Sequence, residues 1–292
     1  MGQSEKSICS NSVYFLLVME WLLIALSSLL TALTPVGLVV DQTVADNIRR
    51  RVSGVEDLAV RVDNTPSWQL IQGQVQRVRL ASRGLEPIPS LRIERFDLET
   101  DPIALKLDQL STNNLQKFRA SLGKPLQGAI QVVMTEKDIN QALANPQFKT
   151  QLQAWLKTVL PAEAPPLELK TATLQFGQNN TLSIQVELLQ AGEAGQPPES
   201  LAIAVNTGFQ VEQGHTLKLI EPSASLNGRK ISNRIVSIVV GSFSDRLSLK
   251  SLEKQGVIAR LLALQTEPGQ LSLAAFLRLN PLDSDLKPDA KN

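Results

Sequence analysis

The side chains that most often carry out catalysis are scarce in this chain. Of its 292 residues one is His and one is Cys, namely His215 and Cys9. A Ser-His-Asp or Cys-His arrangement would have to use His215. This residue follows Gln213-Gly214 at a predicted tight hairpin turn, so it is expected to be exposed. One His and one Cys are too few for the usual zinc site, and there is no P-loop and no GxGxxG motif after a predicted strand. We therefore predict no catalytic residue, no metal site and no cofactor.

Carboxylates are the remaining candidates for acid–base chemistry. Four of them lie along one run of the sequence: Glu94, Asp97, Glu99 and Asp101. Two carboxylates converging in a cleft would be able to act as general acid and general base. Arg92 and Arg95 are interleaved with them, however, and this favours a solvated face of paired charges.

The overall composition excludes further classes of protein. Lys and Arg number 29 and Asp and Glu number 28, which gives a formal net charge of +1. A general nucleic-acid binder needs an excess of basic residues to neutralise phosphates, so no nucleic-acid partner is predicted. Hydrophobic residues make up 43% of the chain and aromatic residues only 4%. The interior must therefore consist mainly of Leu, Val, Ile and Ala.

Long stretches with an apolar residue at every second position are the main structural signal. Residues 201–211 have this pattern, and so do residues 271–279. Because successive side chains of a strand point to opposite faces, each stretch predicts a strand with one apolar face. That face must be covered by a second sheet, a helix or an apolar ligand.

The elements together predict an α+β protein in which a long, curved and bulged antiparallel sheet wraps around helices. Hairpins are predicted across turns at residues 177–180, 213–214 and 267–269, and residues 68–84 are predicted to be extended. The apolar parity changes between Ile93 and Phe96 and again at Pro102, which predicts two bulges. Helices are predicted at residues 40–52, at 135–160 with a break at Asn145-Pro146, and at 231–252.

The chain divides into three predicted regions: an apolar membrane-associated segment at 1–40, one α+β domain at 41–279 with halves at 41–160 and 167–279, and a disordered tail at 280–292. Residues 13–33 are predicted to form an N-terminal apolar helix long enough to span a bilayer, although Glu20 lies within it. Three interpretations stay open: a signal anchor, a cleaved signal peptide, or a helix lying in the membrane interface or in the protein's own groove.

Three consecutive arginines, Arg49, Arg50 and Arg51, end the amphipathic helix predicted at residues 40–52. They would contact anionic lipid headgroups, or they would complement the dipole at the helix C-terminus without any ligand. The sequence leaves both interpretations open.

Several segments of the first half resemble one known family. They are residues 52–60 (VSGVEDLAV), 70–75 (LIQGQV), 78–85 (VRLASRGL), 91–107 and the loop at 123–128 (GKPLQG). With these segments, the chain from residue 41 to 279 resembles the LmeA-like family of phospholipid-binding proteins, which is frequent in cyanobacteria and actinobacteria. The resemblance implies a fold similar to tubular lipid-binding proteins, with a curved sheet around a helix and an apolar groove. It also implies a role in the cell envelope in binding or moving phospholipids.

The alternating apolar faces therefore have two interpretations. They form an ordinary filled core, or they line a trough that holds acyl chains. A trough would be lined by apolar residues of the central and last strands: Ile130, Val132, Leu182, Ile184, Val186, Ile203, Val205, Phe209, Leu271, Leu273 and Leu277. The lipid headgroup would lie at its mouth, where Arg49, Arg50 and Arg51 would meet phosphate.

We therefore predict a non-enzymatic phospholipid-binding or lipid-transfer protein, associated with a membrane of the cell envelope on a side that the sequence leaves open. Its partner would be a phospholipid or another two-chain lipid, and the sequence leaves any protein partner open. Two alternatives stay open. One is a membrane-anchored scaffold that docks a protein partner. The other is an enzyme that uses paired carboxylates on an envelope lipid or glycan.

Overall fold

The computed structural model describes residues 40–65, 67–109, 115–159, 165–192, 197–236 and 248–282. The predicted N-terminal apolar helix, most of the predicted tail and most of the helix predicted at 231–252 lie outside these residues. Within the described ranges, no helix is long and apolar enough to cross a membrane.

The described chain is a sheet-dominated α+β structure. Its α-helices are α1 (Val40–Arg51), α2 (Leu115–Ala120), α3 (Glu136–Ala144) and α4 (Pro146–Val159), and a further helical turn covers residues 233–236. The strands before α3 are β1 (Asp57–Asp63), β2 (Gln74–Val75), β3 (Arg77–Ile88), β4 (Leu91–Thr100), β5 (Ile103–Ala104) and β6 (Leu126–Thr135). Those after α4 are β7 (Leu167–Phe176), β8 (Thr181–Gln190), β9 (Glu199–Glu212), β10 (Thr216–Leu226), β11 (Arg229–Lys230), β12 (Val257–Glu267) and β13 (Gln270–Leu279). Short 3₁₀ helices cover Ser67–Gln72, Leu107–Gln109 and Leu249–Gln255.

The strands form two large antiparallel sheets. The six-stranded sheet has the order β1-β3-β4-β6-β13-β12, the five-stranded sheet has the order β11-β10-β9-β8-β7, and β2 pairs with β5. The three predicted hairpins are confirmed as β7–β8, β9–β10 and β12–β13. Because β13 also pairs with β6, the last hairpin of the second half completes the sheet of the first half.

The division into two sheets differs from the single sheet that the sequence predicts. The outer edge of β12 is bonded to turns of the five-stranded sheet and not to another strand. Leu261 N donates to Gly214 O at 2.6 Å, and Thr266 N donates to Asn180 Oδ1 at 3.0 Å. Since turns occupy this edge, the ladder of strand pairing does not continue from one sheet into the other.

Bulges interrupt the sheets, but not where the sequence predicts them. The register shifts lie between Leu85 and Ile88, Leu169 and Thr171, Ile220 and Ser223, and Leu261 and Ala263. The bulge predicted between Ile93 and Phe96 is wrong, because β4 keeps one register against β3 there. Arg92 and Glu94 share the face of Phe96, and these charged residues break the apolar alternation without any bulge. Pro102 lies between β4 and β5, which belong to different sheets.

Helix α1 packs on one face of the six-stranded sheet, which we call the inner face. Val44 and Ile48 are each 1% exposed, which confirms the predicted amphipathic helix. The most deeply buried side chains gather around them: Val44, Ile48, Val75, Ile103, Phe118 and Leu122. Full burial of one such aliphatic or aromatic side chain contributes about 1.5–3 kcal/mol, so this cluster fixes α1 on the sheet.

The predicted start of α3 and the predicted helix break are both confirmed. Thr135 Oγ1 accepts a hydrogen bond from Asp138 N at 3.0 Å, the N-cap contact that satisfies a free amide at a helix start. Helix α3 ends at Ala144, and Pro146 begins α4. Because proline lacks an N–H donor, it is tolerated in the first turn of a helix but not in its interior.

Helices α3 and α4 cover the outer edge of β7. The Asn140 side chain donates to Leu174 O at 2.8 Å and accepts from Leu174 N at 2.7 Å. The Gln153 side chain likewise donates to Leu167 O at 2.6 Å and accepts from Leu169 N at 2.5 Å. Side-chain amides thus replace the missing neighbour strand, and they hide an edge that would otherwise invite pairing with another chain.

Replacing Asn140 by Leu is expected to lower the free energy of unfolding by about 2–3 kcal/mol, because two hydrogen bonds are lost and the part-buried Leu174 N–H and C=O groups are left unpaired. Denaturant titration measures this loss, and hydrogen exchange at Leu174 should become faster. Gln141→Leu is the control, since Gln141 is exposed on the same helix and such a change costs about 0.5 kcal/mol or less. Equal effects of the two substitutions would contradict the role of Asn140.

Candidate functional site

The five-stranded sheet carries a continuous apolar face. Val186 lies opposite Ile203, and Ile184 lies opposite Val205; on the other side, Ile184 lies opposite Leu174. Directly opposite residues of antiparallel strands share one face. Six of the predicted lining residues therefore come together here: Leu182, Ile184, Val186, Ile203, Val205 and Phe209.

The centre of this face is only half-buried. Ile184, Ile203 and Val205 have intermediate exposure, whereas Leu188 and Phe209 are buried. Within the described ranges, the buried core clusters draw on the six-stranded sheet and the elements beside it, and they include no residue of the five-stranded sheet. The apolar face of the five-stranded sheet is therefore not part of the described core clusters.

The opposite face of the same sheet is polar. Glu187 Oε1 lies 2.7 Å from Lys170 Nζ and accepts from Ser200 Oγ at 2.8 Å. These contacts, with Lys170 first, hold the pKa of Glu187 below its usual value. The sheet thus has one face suited to apolar contact and one suited to water, as period-two alternation requires.

The other five predicted lining residues lie on the inner face of the six-stranded sheet: Ile130, Val132, Leu271, Leu273 and Leu277. Ile130 is 7% exposed and belongs to the cluster that contains α1, and Val132, Leu273 and Leu277 pack against that cluster. The structure thus separates the predicted lining into two surfaces. The surface on the six-stranded sheet is packed against a helix of the protein itself.

Arg92 joins α3 to the six-stranded sheet through three carboxylates. Its Nη1 lies 2.6 Å from Glu94 Oε2 and 3.0 Å from Asp138 Oδ2, and its Nη2 lies 2.9 Å from Glu56 Oε1. The Asp138 side chain is 6% exposed and also accepts from Thr135 Oγ1 at 2.6 Å. The carboxylates, Glu94 foremost, raise the pKa of Arg92 above its usual value, so this centre is a permanently charged link between α3 and the sheet.

The three predicted headgroup arginines lie at the C-terminal end of α1. Arg49 Nη1 is 3.2 Å from Asp46 Oδ1, and Arg50 Nη2 donates to Asn47 Oδ1 at 2.6 Å. Helix α1, with Arg51 as its last residue, packs along β1, which is the edge of the six-stranded sheet opposite to β12. The structure therefore does not bring these arginines to the apolar face of the five-stranded sheet.

The four carboxylates that the sequence placed in one run do not converge on one another. Three of them pair with arginines: Arg92–Glu94 at 2.6 Å, Arg95–Asp97 at 2.5 Å and Arg77–Glu99 at 3.2 Å. Glu94 lies on the inner face of β4, whereas Asp97 and Glu99 alternate to the outer face. In the part of the chain that the structure describes, no group of three or more His, Cys, Asp or Glu residues is arranged to hold a metal ion.

His215 is not the fully exposed turn residue that the sequence predicts. It is half-buried, its backbone oxygen accepts from Leu249 N at 2.7 Å, and its Nδ1 lies 2.8 Å from Thr216 Oγ1. The reason is that this turn packs against the elements around β12. These contacts give His215 a structural setting at the junction of the two sheets.

Two surface depressions lie on the outer, polar faces of the sheets. One, of about 380 Å³, is lined by small and charged residues that include Ala59, Ala81 and Asp97. The other, of about 430 Å³, is lined mainly by polar residues that include Gln175 and Asn206.

Sequence analysis missed several members of the apolar face. They lie on the flanking strands β7 and β10: Ala172, Leu174, Leu219 and Ala224. The signal that would have found them is the register of the two hairpins. Once the turns at 177–180 and 213–214 are placed, each residue of β8 or β9 specifies the partner that shares its face as far as the next bulge. Ala224 lies beyond the register shift between Ile220 and Ser223, so the turn alone does not specify it.

A comparison with protein families now places this fold in a class. Residues 31–276 match the family described as LmeA-like phospholipid-binding. The match extends from before α1 into β13 and covers most of the chain. This protein therefore belongs to the LmeA-like phospholipid-binding family, as the resemblance predicted. No curated protein matches the chain.

Proposed function

We propose that this protein binds a phospholipid without chemical turnover and holds its acyl chains against the apolar face of the five-stranded sheet. The observation that carries the proposal is that face itself: aligned aliphatic residues on β7 to β10, half-buried and outside the described core clusters. Membership of a phospholipid-binding family supplies the ligand class. The proposed architecture resembles tubular lipid-binding proteins, in which a curved sheet wraps around helices.

Acyl-chain burial is sufficient to drive this binding. Each CH₂ group removed from water contributes about 0.8 kcal/mol, so burying about ten groups contributes roughly 8 kcal/mol. Association itself costs at least about 4 kcal/mol, and the further CH₂ groups of a two-chain lipid offset this cost. A polar clamp for the headgroup is therefore not required, which fits a face built almost wholly from aliphatic residues.

The headgroup is proposed to remain at the border of the apolar face, in contact with water. Arg49, Arg50 and Arg51 are kept as candidates for a separate contact with anionic phosphate. They are not assigned to the held lipid, because α1 lies at the far edge of the six-stranded sheet. Their alternative role is to complement the dipole at the C-terminus of α1.

The proposed setting is a membrane of the cell envelope. Residues 13–33 would attach the domain to the bilayer, and the domain would accept lipid from that bilayer and pass it on. A carrier of this kind needs a face that covers acyl chains reversibly. A filled core would not release its contents, so the half-buried state of Ile184 and Val205 favours a carrier over a purely structural scaffold.

The proposal is tested by lipid binding to the full chain in mild detergent. A phosphatidylglycerol that carries a fluorescent group on one acyl chain is expected to bind saturably, and unlabelled phosphatidylglycerol is expected to displace it. Glycerol 3-phosphate, which has the headgroup chemistry but no acyl chain, should not compete. Absence of saturable binding would overturn the proposal, and equal competition by glycerol 3-phosphate would show that the headgroup rather than the acyl chain is recognised.

A further inference from the structure

The 3₁₀ helix Ser67–Gln72 presents two large apolar side chains to solvent. Trp68 is 56% exposed and Ile71 is 69% exposed. In a 3₁₀ helix, residues three apart lie on the same side, so these two side chains point the same way. Leu70 between them turns inward and packs against the core. This segment is thus anchored by one residue and exposes the other two.

Residues 73 and 105–107 of the same chain hold this segment in place and add a third apolar residue to it. Gly73 adopts a positive φ of 75°, and its carbonyl oxygen accepts from Leu105 N at 2.8 Å. A Cβ atom at Gly73 would lie 2.3 Å from Leu105 O and 3.2 Å from Leu107 Cγ. Leu107, which is 38% exposed, therefore lies beside the 3₁₀ helix. We call Trp68, Ile71 and Leu107 the apolar tip.

The chain enters the domain at the same end as the apolar tip. Arg49, near the end of α1, donates from Nη2 to Leu58 O near the start of β1 at 3.4 Å. Helix α1 and strand β1 are therefore antiparallel, and Val40 lies toward Asp63 at the end of β1. The 3₁₀ helix follows β1 after three residues. The first described residue of α1 and the apolar tip are thus at one end of the six-stranded sheet.

Under the proposed function, the sequence before α1 connects this end to a membrane. Residues 13–33 are strongly apolar and of bilayer-spanning length, and six residues, 34–39, separate them from α1. Six residues span at most about 20 Å. A domain attached by so short a connection must turn this end toward the bilayer. Trp is favoured at the membrane interface, where its ring meets both apolar chains and polar headgroups.

We infer that the apolar tip is a membrane-docking site, in which Trp68, Ile71 and Leu107 enter the interface of a phospholipid bilayer. The site deepens the proposed function, because it would hold the domain in a fixed orientation on the membrane from which lipid is taken. Docking and lipid holding use different residues. The apolar tip lies at one end of the six-stranded sheet, whereas the acyl-chain face lies on β7 to β10 of the five-stranded sheet. The two are therefore separable by experiment.

The test places a fluorescent label at the tip of the full chain in vesicles of phosphatidylcholine and phosphatidylglycerol. Cys9 is the one cysteine of the sequence, so Cys9→Ser gives a background in which Ile71→Cys is labelled with a nitrobenzoxadiazole group. The matched control is Gln270→Cys, an exposed residue on the order of 25 Å away at the opposite end of the same sheet. Spin-labelled phospholipids in the vesicles quench a label only if it lies in the bilayer.

The label at Ile71→Cys is expected to shift its emission to the blue and to lose at least half of its intensity to the spin-labelled lipid. The label at Gln270→Cys should keep the emission of a group in water. If both labels keep the emission of a group in water and neither is quenched, the docking site is overturned.

A second measurement separates this inference from the proposed function. The double variant Trp68→Ser, Ile71→Ser is expected to slow lipid uptake from vesicles at least tenfold while leaving the final amount of bound lipid unchanged. If the wild-type protein takes up no lipid from the vesicles but its label at residue 71 is quenched, the proposed function is refuted and the docking site is not. Unchanged uptake kinetics in the double variant, with lipid bound, would refute docking alone.

Discussion

Replacing Ile184 by Asp is expected to weaken phospholipid binding by at least about a hundredfold, or about 3 kcal/mol. The carboxylate would lie at the centre of the apolar face, opposite Val205 and Leu174, and acyl chains cannot solvate it. Gln185→Asp is the matched control, because Gln185 is the next residue of β8 and is exposed on the polar face. Titration with the acyl-labelled phosphatidylglycerol measures both. Equal loss in the two variants would contradict the assignment of the face.

A second substitution, which fills the proposed acyl-chain space, tests the same face even if the Ile184→Asp variant does not fold. Val205→Trp keeps the face apolar but occupies the space proposed for acyl chains. If that space is open to a ligand, the variant should lose lipid binding and keep its thermal stability. If the face is instead a filled core, the added volume should destabilise the protein by about 1–3 kcal/mol, and this result would favour the scaffold alternative.

Removing Arg92 is expected to have a large effect on stability. Arg92→Leu leaves the carboxylate of Asp138, 6% exposed, without its charged partner. Breaking such a pair costs about 3–5 kcal/mol when both members are buried; because the Arg92 side chain is 25% exposed, we expect about 2–3 kcal/mol. Denaturant titration of the wild type and the variant measures this difference.

Two further variants decide whether the effect of Arg92→Leu comes from Asp138. Asp138→Asn added to Arg92→Leu should restore part of the lost stability, since the uncompensated charge is gone. Arg95→Leu on the same strand should cost about 1 kcal/mol or less, because the Arg95–Asp97 pair lies on the solvated outer face. A loss for Arg95→Leu as large as that for Arg92→Leu would contradict the account of this centre.

Much of the fold could be predicted from local signals. The turns at 177–180, 213–214 and 267–269 specify three hairpins, and Thr135 with Pro146 specifies the start of α3 and the start of α4. These signals depend on neighbouring residues alone. Residues 68–72 were predicted to be extended but lie in the 3₁₀ helix Ser67–Gln72. The chain at the end of this helix makes a distant contact, from Leu105 N to Gly73 O, which a local pattern does not reveal.

The candidate site could be predicted only in part for the same reason. Alternation identifies Ile203, Val205 and Ile184 as members of an apolar face. It identifies Ile130 and Leu273 equally well, and those two residues belong to or adjoin the cluster that packs against α1. Which apolar face receives a helix depends on the tertiary path of α1, and alternation within a strand carries no information about that path.

Phospholipid binding is tested most directly by native mass spectrometry of the full chain, purified in a mild nonionic detergent and freed from the micelle in the gas phase. We expect a protein mass with a bound phospholipid mass, present in the wild type and in Gln185→Asp and lost in Val205→Trp. A protein mass without lipid, even after incubation with phosphatidylglycerol vesicles and with folding intact, would contradict it.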